Sequence, residues 1–95
     1  MNFSFHPEAE QEFLAAIDYY EICKPGLGVE FAQEIYATIH RILRFPNAWS
    51  ELSANTRRCL ATRFPFGVIY NHTFDHVTIL AVMQLNRKPG YWMNR

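Results

Sequence analysis

Covalent and metal cross-links are almost absent from this chain. Its two cysteines, Cys23 and Cys59, are too few and too far apart for a disulfide scaffold or a zinc knuckle, so both are expected as buried thiols. Four scattered histidines show no metal-ligand spacing, and neither a metal nor a cofactor is expected. No apolar run is long enough for a spanning helix, and no membrane partner is expected. Glu8 arrives before any apolar stretch could form a signal peptide, so the sequence predicts a cytoplasmic protein.

Acid is nearly missing from the second half. Residues 1–51 hold eight of the nine acids and three of the nine Lys/Arg, a balance of −5, whereas residues 52–95 hold one acid and six Lys/Arg, a balance of +5. The neutral total conceals a polarised molecule, and such asymmetry points to an anionic or acidic partner on one face.

What is present is a clear order of elements in one domain, residues 1–95. Met1 to Phe5 alternates as a short strand, and His6-Pro7-Glu8 opens a helix with proline at its first position. Ala9, Phe13, Ala16, Ile17 and Tyr20 then recur at helical spacing, which predicts a helix over 7–22 with Glu10, Glu12 and Asp18 on a solvated acidic face. Lys24-Pro25-Gly26-Leu27-Gly28 breaks it, and Phe31, Ile35, Ile39, Ile42 and Leu43 form the stripe of a second helix that Pro46 ends. Residues 47–56 read as a loop. Three β-rich segments follow at 57–64, 66–73 and 76–85. The expected fold is α+β: an N-terminal strand, a helix hairpin, then an antiparallel β-meander packed on the helices. Two helices cover one face of the sheet, so the other is expected to be solvated or to meet a ligand or partner.

The candidate functional residues are basic and aromatic. Arg57, Arg58, Arg63, Arg87, Lys88, Tyr91 and Trp92 place cations beside aromatic rings near strand ends, a pairing suited to phosphate, a base or an acidic partner. Adjacent strand residues face opposite ways, so at most one of Arg57 and Arg58 joins a given site. Metal-free RNA cleavage would need cations such as Arg63 and Arg87, with Tyr91 as acid or base. Tyr91 serves in that role only if neighbouring arginines lower its pKa from about 10. Otherwise Tyr91 and Trp92 anchor the tail to the core, and Tyr70 is a core tyrosine whose hydroxyl finds a partner.

Pro7-Glu8-Ala9-Glu10, Tyr19-Tyr20, Pro25-Gly26-Leu27-Gly28-Val29-Glu30-Phe31, Pro46, Arg57-Arg58, Arg63-Phe64-Pro65-Phe66-Gly67-Val68-Ile69-Tyr70, Ala81-Val82 and Arg87-Lys88-Pro89-Gly90-Tyr91-Trp92 together resemble the RelE/ParE toxin superfamily. The resemblance spans nearly the whole chain. It implies the toxin of a type II toxin–antitoxin, or plasmid-stabilisation, module, neutralised by a cognate antitoxin encoded beside it. The Pro-Gly-Leu-Gly turn and the Phe-Pro-Phe-Gly and Pro-Gly-Tyr-Trp segments resemble the ParE side, which implies a non-catalytic protein that binds a target such as DNA gyrase. The alternatives are a RelE-like endonuclease acting on mRNA at the ribosome, using Arg63, Arg87 and Tyr91, and a non-toxic homologue that only binds antitoxin. Gln84 and Asn86 stand where many relatives carry histidine and arginine in a His-x-Arg-Arg run, which points away from RNA cleavage.

Overall fold

The computed structural model describes all 95 residues. In chain order they form β1 (Asn2–Phe5), α1 (Pro7–Cys23), α2 (Leu27–Arg44), β2 (Ser50–Ser53), β3 (Thr56–Leu60), β4 (Phe66–His72) and β5 (His76–Gln84). The strands make one sheet in the order β1-β5-β4-β3-β2. β1 runs parallel to β5, and every other neighbour pair is antiparallel. The strand, helix hairpin and meander anticipated from the sequence are all present.

Local chemistry sets the helix ends. The His6 ring accepts the Glu8 N–H, Pro7 takes the first helical position, and Glu8 and Glu10 sit against the positive end of the helix dipole. At the hairpin, Gly26 adopts φ 89° and has no side chain to cap α2. Glu21 of α1 supplies the missing acceptor, taking the N–H groups of Gly26 and Gly28 on its carboxylate at 3.0–3.1 Å. Gly28 also lets the helices touch, since a Cβ there would stand 2.6 Å from the Ile17 carbonyl oxygen.

The stripe of α2 buries Phe31, Ile35, Ile39 and Ile42 completely. It packs with Phe13 of α1 against the inner row of the sheet, which includes Cys59, Val68, Tyr70, Val77 and Ile79. Tyr20 joins Phe31, Phe64 and Phe66 in an aromatic cluster with ring centroids 4.8–6.2 Å apart. Tyr70 is core, and its hydroxyl donates to the Pro46 carbonyl at 2.6 Å. The outer face of β4 and β5 is not left to solvent or a partner: Ile69, Leu80, Ala81 and Met83 pack with Trp92 from the chain's own tail. A bulge shifts the alternation along β5: Tyr70 pairs with Ile79 and Ile69 with Ala81, leaving Leu80 as the extra residue, so Val77 and Ile79 before it and Val82 after it join the helix-side core while Ala81 and Met83 join the outer one.

Three local expectations need correction. The span 47–56 is not all loop, because it contains the edge strand β2, joined to β3 through Asn55 at φ 62°. All four β2 residues are exposed, so no alternation marked it. The strand expected over 57–64 ends at Leu60, and the next residues are drawn off the sheet toward α2. There Glu34 accepts the Thr62 N–H and hydroxyl, and Glu30 pairs with Arg63. Cys59 is buried as expected, but Cys23 is exposed at the end of α1.

Alanine ordinarily stabilises a helix over glycine by about 1 kcal/mol. At Gly28 the steric clash reverses the sign, and Gly28→Ala is expected to destabilise the protein by about 1–3 kcal/mol. Urea denaturation monitored by circular dichroism checks this through a lower midpoint at unchanged slope.

Candidate partner-binding groove

The site begins with a mismatch in strand length. β1 has four residues and β5 has nine, and β1 pairs only with His76–Ile79. His6 makes the last contact on that edge, donating its N–H to the Ile79 carbonyl. From Leu80 to Gln84 the same side of β5 has no neighbouring strand. Two side chains fill part of the gap. Glu12 Oε1 accepts the Val82 N–H at 3.1 Å, and Arg95 Nη1 donates to the Leu80 carbonyl at 2.9 Å.

These two side chains also pair with each other. Arg95 Nη1 and Nη2 each stand 2.9 Å from one oxygen of the Glu12 carboxylate, and Arg87 Nη1 lies 3.4 Å from Oε2. Such a fork is the strong form of a charge-assisted hydrogen bond. The side chains of Glu12 and Arg95 are only 15% and 9% exposed, so each carries a desolvation cost that the other offsets. Glu12 therefore does not belong to the solvated acidic face expected from the sequence; Glu10 and Asp18 do. The sequence held a signal for this, since Glu12 lies three residues after Ala9 and four before Ala16, on the margin of the buried stripe. Arg95 carried no comparable signal.

Of the residues singled out by sequence, Arg87 and Tyr91 meet here. The Arg87 guanidinium sits 3.5 Å from the Tyr91 ring centroid, and that of Arg95 sits at 5.1 Å. The Tyr91 hydroxyl is buried near the Glu12 carboxylate but makes no well-aligned hydrogen bond. Burial, followed by the nearby Glu12 carboxylate, raises its pKa from 10.0 to about 12, outweighing the opposite pull of Arg87 and Arg95. That is the reverse of the shift an acid or base at neutral pH requires. Trp92, the next residue, lies on the outer face of the sheet with Ile69 and Met83.

Between α1 and the free edge of β5 runs a groove of about 590 Å³. Ala16, Tyr20, Phe66 and Val82 contribute apolar surface, while Tyr19, Gln84, Arg87 and Tyr91 add aromatic and polar groups. The volume falls within the range of ligand-sized sites, about 300–1,000 Å³. Arg87 remains 52% exposed beside it, so its guanidinium keeps donors free for an incoming acid.

The other candidates are engaged elsewhere. Arg57 faces inward opposite Tyr70, donates to the Trp49 carbonyl at 2.8 Å and lies 3.6 Å from Glu51. Arg58 takes the opposite face, as alternation requires, and its aliphatic stem covers Gly67. Arg63 pairs with Glu30 at 2.8 Å and lies over the Phe64 ring. Lys88 is exposed and has no ion pair. His72 bonds Asn47 and His76 bonds Ser4. No three His, Cys, Asp or Glu side chains are grouped to hold a metal, and no helix is long and apolar enough to cross a membrane.

No family model and no curated protein matches the sequence. Among solved structures, the chain is similar to one from the "Chromosomal ParDE TA system from P. aeruginosa". The TM-score is 0.77 at 17% identity, covering 90% of this chain and 96% of the other. The two sequences have diverged far, and what they share is the fold. The chain has a ParE-like α+β fold.

Buried tyrosines give this protein an alkaline limit. Tyr91 and Tyr70 both ionise in the fold only near pH 12, against 10.0 for an unperturbed tyrosine. Between those values the unfolded chain has lost protons that the fold retains, so stability is full below pH 10 and falls as pH rises toward 12. Denaturant midpoints measured across this range should fall, and Tyr91→Phe should make the fall shallower.

Proposed function

We propose that this chain is the toxin of a type II toxin–antitoxin module: a single cytoplasmic domain, ParE-like, neutralised by a cognate antitoxin and acting by binding a cellular target such as DNA gyrase. The observation that carries the reading is the ParE-like fold shared with a chain of a ParDE toxin–antitoxin system. The groove beside Arg87 adds a place where an antitoxin segment with apolar and acidic side chains would dock. A basic surface around Arg87 and Lys88 would steer an acidic segment toward it and raise the association rate more than the final affinity.

The non-catalytic form is favoured over a RelE-like ribonuclease by the state of Tyr91. The hydroxyl is buried and its pKa raised to about 12, so it is a poor proton donor or acceptor at neutral pH. Arg63 is held by Glu30 of α2, while Arg87 leans on Tyr91 and Glu12. Target binding by Arg63, Arg87, Lys88 and Tyr91, with Arg57 and Arg58 as further candidates and Trp92 holding the segment in place, requires no proton transfer from any of them.

Induced expression in a bacterial host tests the proposal, with the adjacent small open reading frame supplied or omitted. Growth arrest that the neighbour relieves, with intact message and altered DNA supercoiling, is the expected result. Cut message would instead support RNA cleavage, and normal growth would leave a binding-only homologue. Alanine at both Arg63 and Arg87 is expected to weaken target binding at least about tenfold and relieve the arrest while the circular dichroism spectrum stays unchanged.

A further inference from the structure

The segment after β5 crosses the molecule in an unusual way. Trp92 packs on the outer face of the sheet, yet three residues later the Arg95 side chain reaches Glu12 of α1, which belongs to the opposite layer. Between these anchors the chain makes only two backbone hydrogen bonds of its own, Met93 N–H to Gly90 and Arg95 N–H to Trp92. Trp92 and Arg95 therefore supply the tertiary hold on this segment, with Tyr91 lodged against the guanidinium groups of Arg87 and Arg95.

We infer that Glu12 and Arg95 form a latch, which closes the free edge of β5 at Leu80–Val82 and positions Arg87 and Tyr91 as one wall of the groove. The geometry is specific to this job. An ion pair alone would need only the two 2.9 Å contacts between the side chains. Here each partner also satisfies a main-chain group that a sixth strand would otherwise bond: Glu12 takes the Val82 N–H and Arg95 gives to the Leu80 carbonyl. The pair thus imitates a piece of neighbouring strand. Arg95 has a further contact with Glu8, at 3.8 Å. Arg87 joins at 3.4 Å through the same Glu12 oxygen that receives Arg95 Nη2, so the orientation of the groove wall depends on where Glu12 is held.

The latch makes two distant regions respond together. Removing Arg95 leaves Glu12 only the longer ion pair with Arg87, and removing Glu12 leaves Arg95 only the 3.8 Å ion pair with Glu8, so the remaining side chain is drawn toward solvent. Val82 then loses its acceptor, Leu80 its donor, and residues 91–95 their inner anchor. Opening is therefore felt both at the β5 edge and in the tail, while the α2 core is untouched. This inference does not rest on the toxin proposal, and its test involves no partner.

The experiment is amide hydrogen exchange on the purified chain, followed residue by residue by NMR, for wild type, Glu12→Ala and Arg95→Met. Ile39 in the fully buried stripe of α2 serves as the internal reference. The latch predicts that both variants accelerate exchange at Val82 and at Met93 by roughly ten- to hundredfold relative to Ile39, the loss expected for a charge-assisted bond. Arg95→Lys, which keeps a cation but cannot fork onto the Glu12 carboxylate, should recover only part of the protection. Acceleration at Val82 without Met93 would reduce the contact to a local hydrogen bond and overturn the latch. Equal acceleration at all three amides would mean general destabilisation and would overturn it too, as would exchange unchanged from wild type.

Discussion

A long strand beside a short one leaves backbone groups that must find partners elsewhere, and much of this structure is the answer to that constraint. β5 extends five residues beyond the end of β1, through the middle of the protein, where an unsatisfied N–H or C=O is costly. The chain closes part of the gap with a carboxylate from α1 and a guanidinium from the tail. Because the closure uses side chains rather than another strand, room remains beside it, and that room is the groove.

The same constraint gives the charge asymmetry a structural meaning. The acids of the first half lie mainly on the helices and the cations of the second half mainly on the sheet and tail, so the charge separation coincides with the two layers. Several opposite charges meet where the layers touch: Glu12 with Arg95 and Arg87, Glu30 with Arg63, and Glu8 with Arg95. The cations left for a partner are fewer than the charge count suggests. Arg58 and Lys88 have no ion pair, and Arg87 is half exposed despite its contact with Glu12. Of these, only Arg87 borders the apolar groove, so this half does not present a uniformly positive face.

Elements with a strong hydrophobic period were legible in the sequence. The stripe of α2 and the apolar runs of β4 and β5 correspond closely to the expected spans, and α1, whose apolar residues are spread more widely, was marked as much by Pro7 and the Pro25-Gly26 break as by its stripe. β2 was not legible, because a wholly exposed edge strand has no buried face to impose alternation. The premature end of β3 was hidden because its cause is tertiary: Glu30 and Glu34 hold the following residues from another element. The candidate site was half legible. Arg87 and Tyr91 stood out as a cation near an aromatic ring, but Glu12 resembled a surface acid and Arg95 an unremarkable tail residue. Their roles arise from a contact spanning most of the chain, which no local pattern encodes.

The ParE-like fold carries a groove bordered by a half-exposed arginine and by a tyrosine whose pKa is raised rather than lowered. The account depends on Glu12 and Arg95 acting as one unit, and a double-mutant cycle in urea denaturation measures this directly. Glu12→Gln, Arg95→Met and the double variant should give a coupling of about 1–3 kcal/mol. Coupling within about 0.5 kcal/mol of zero, the range of independent sites, would contradict it.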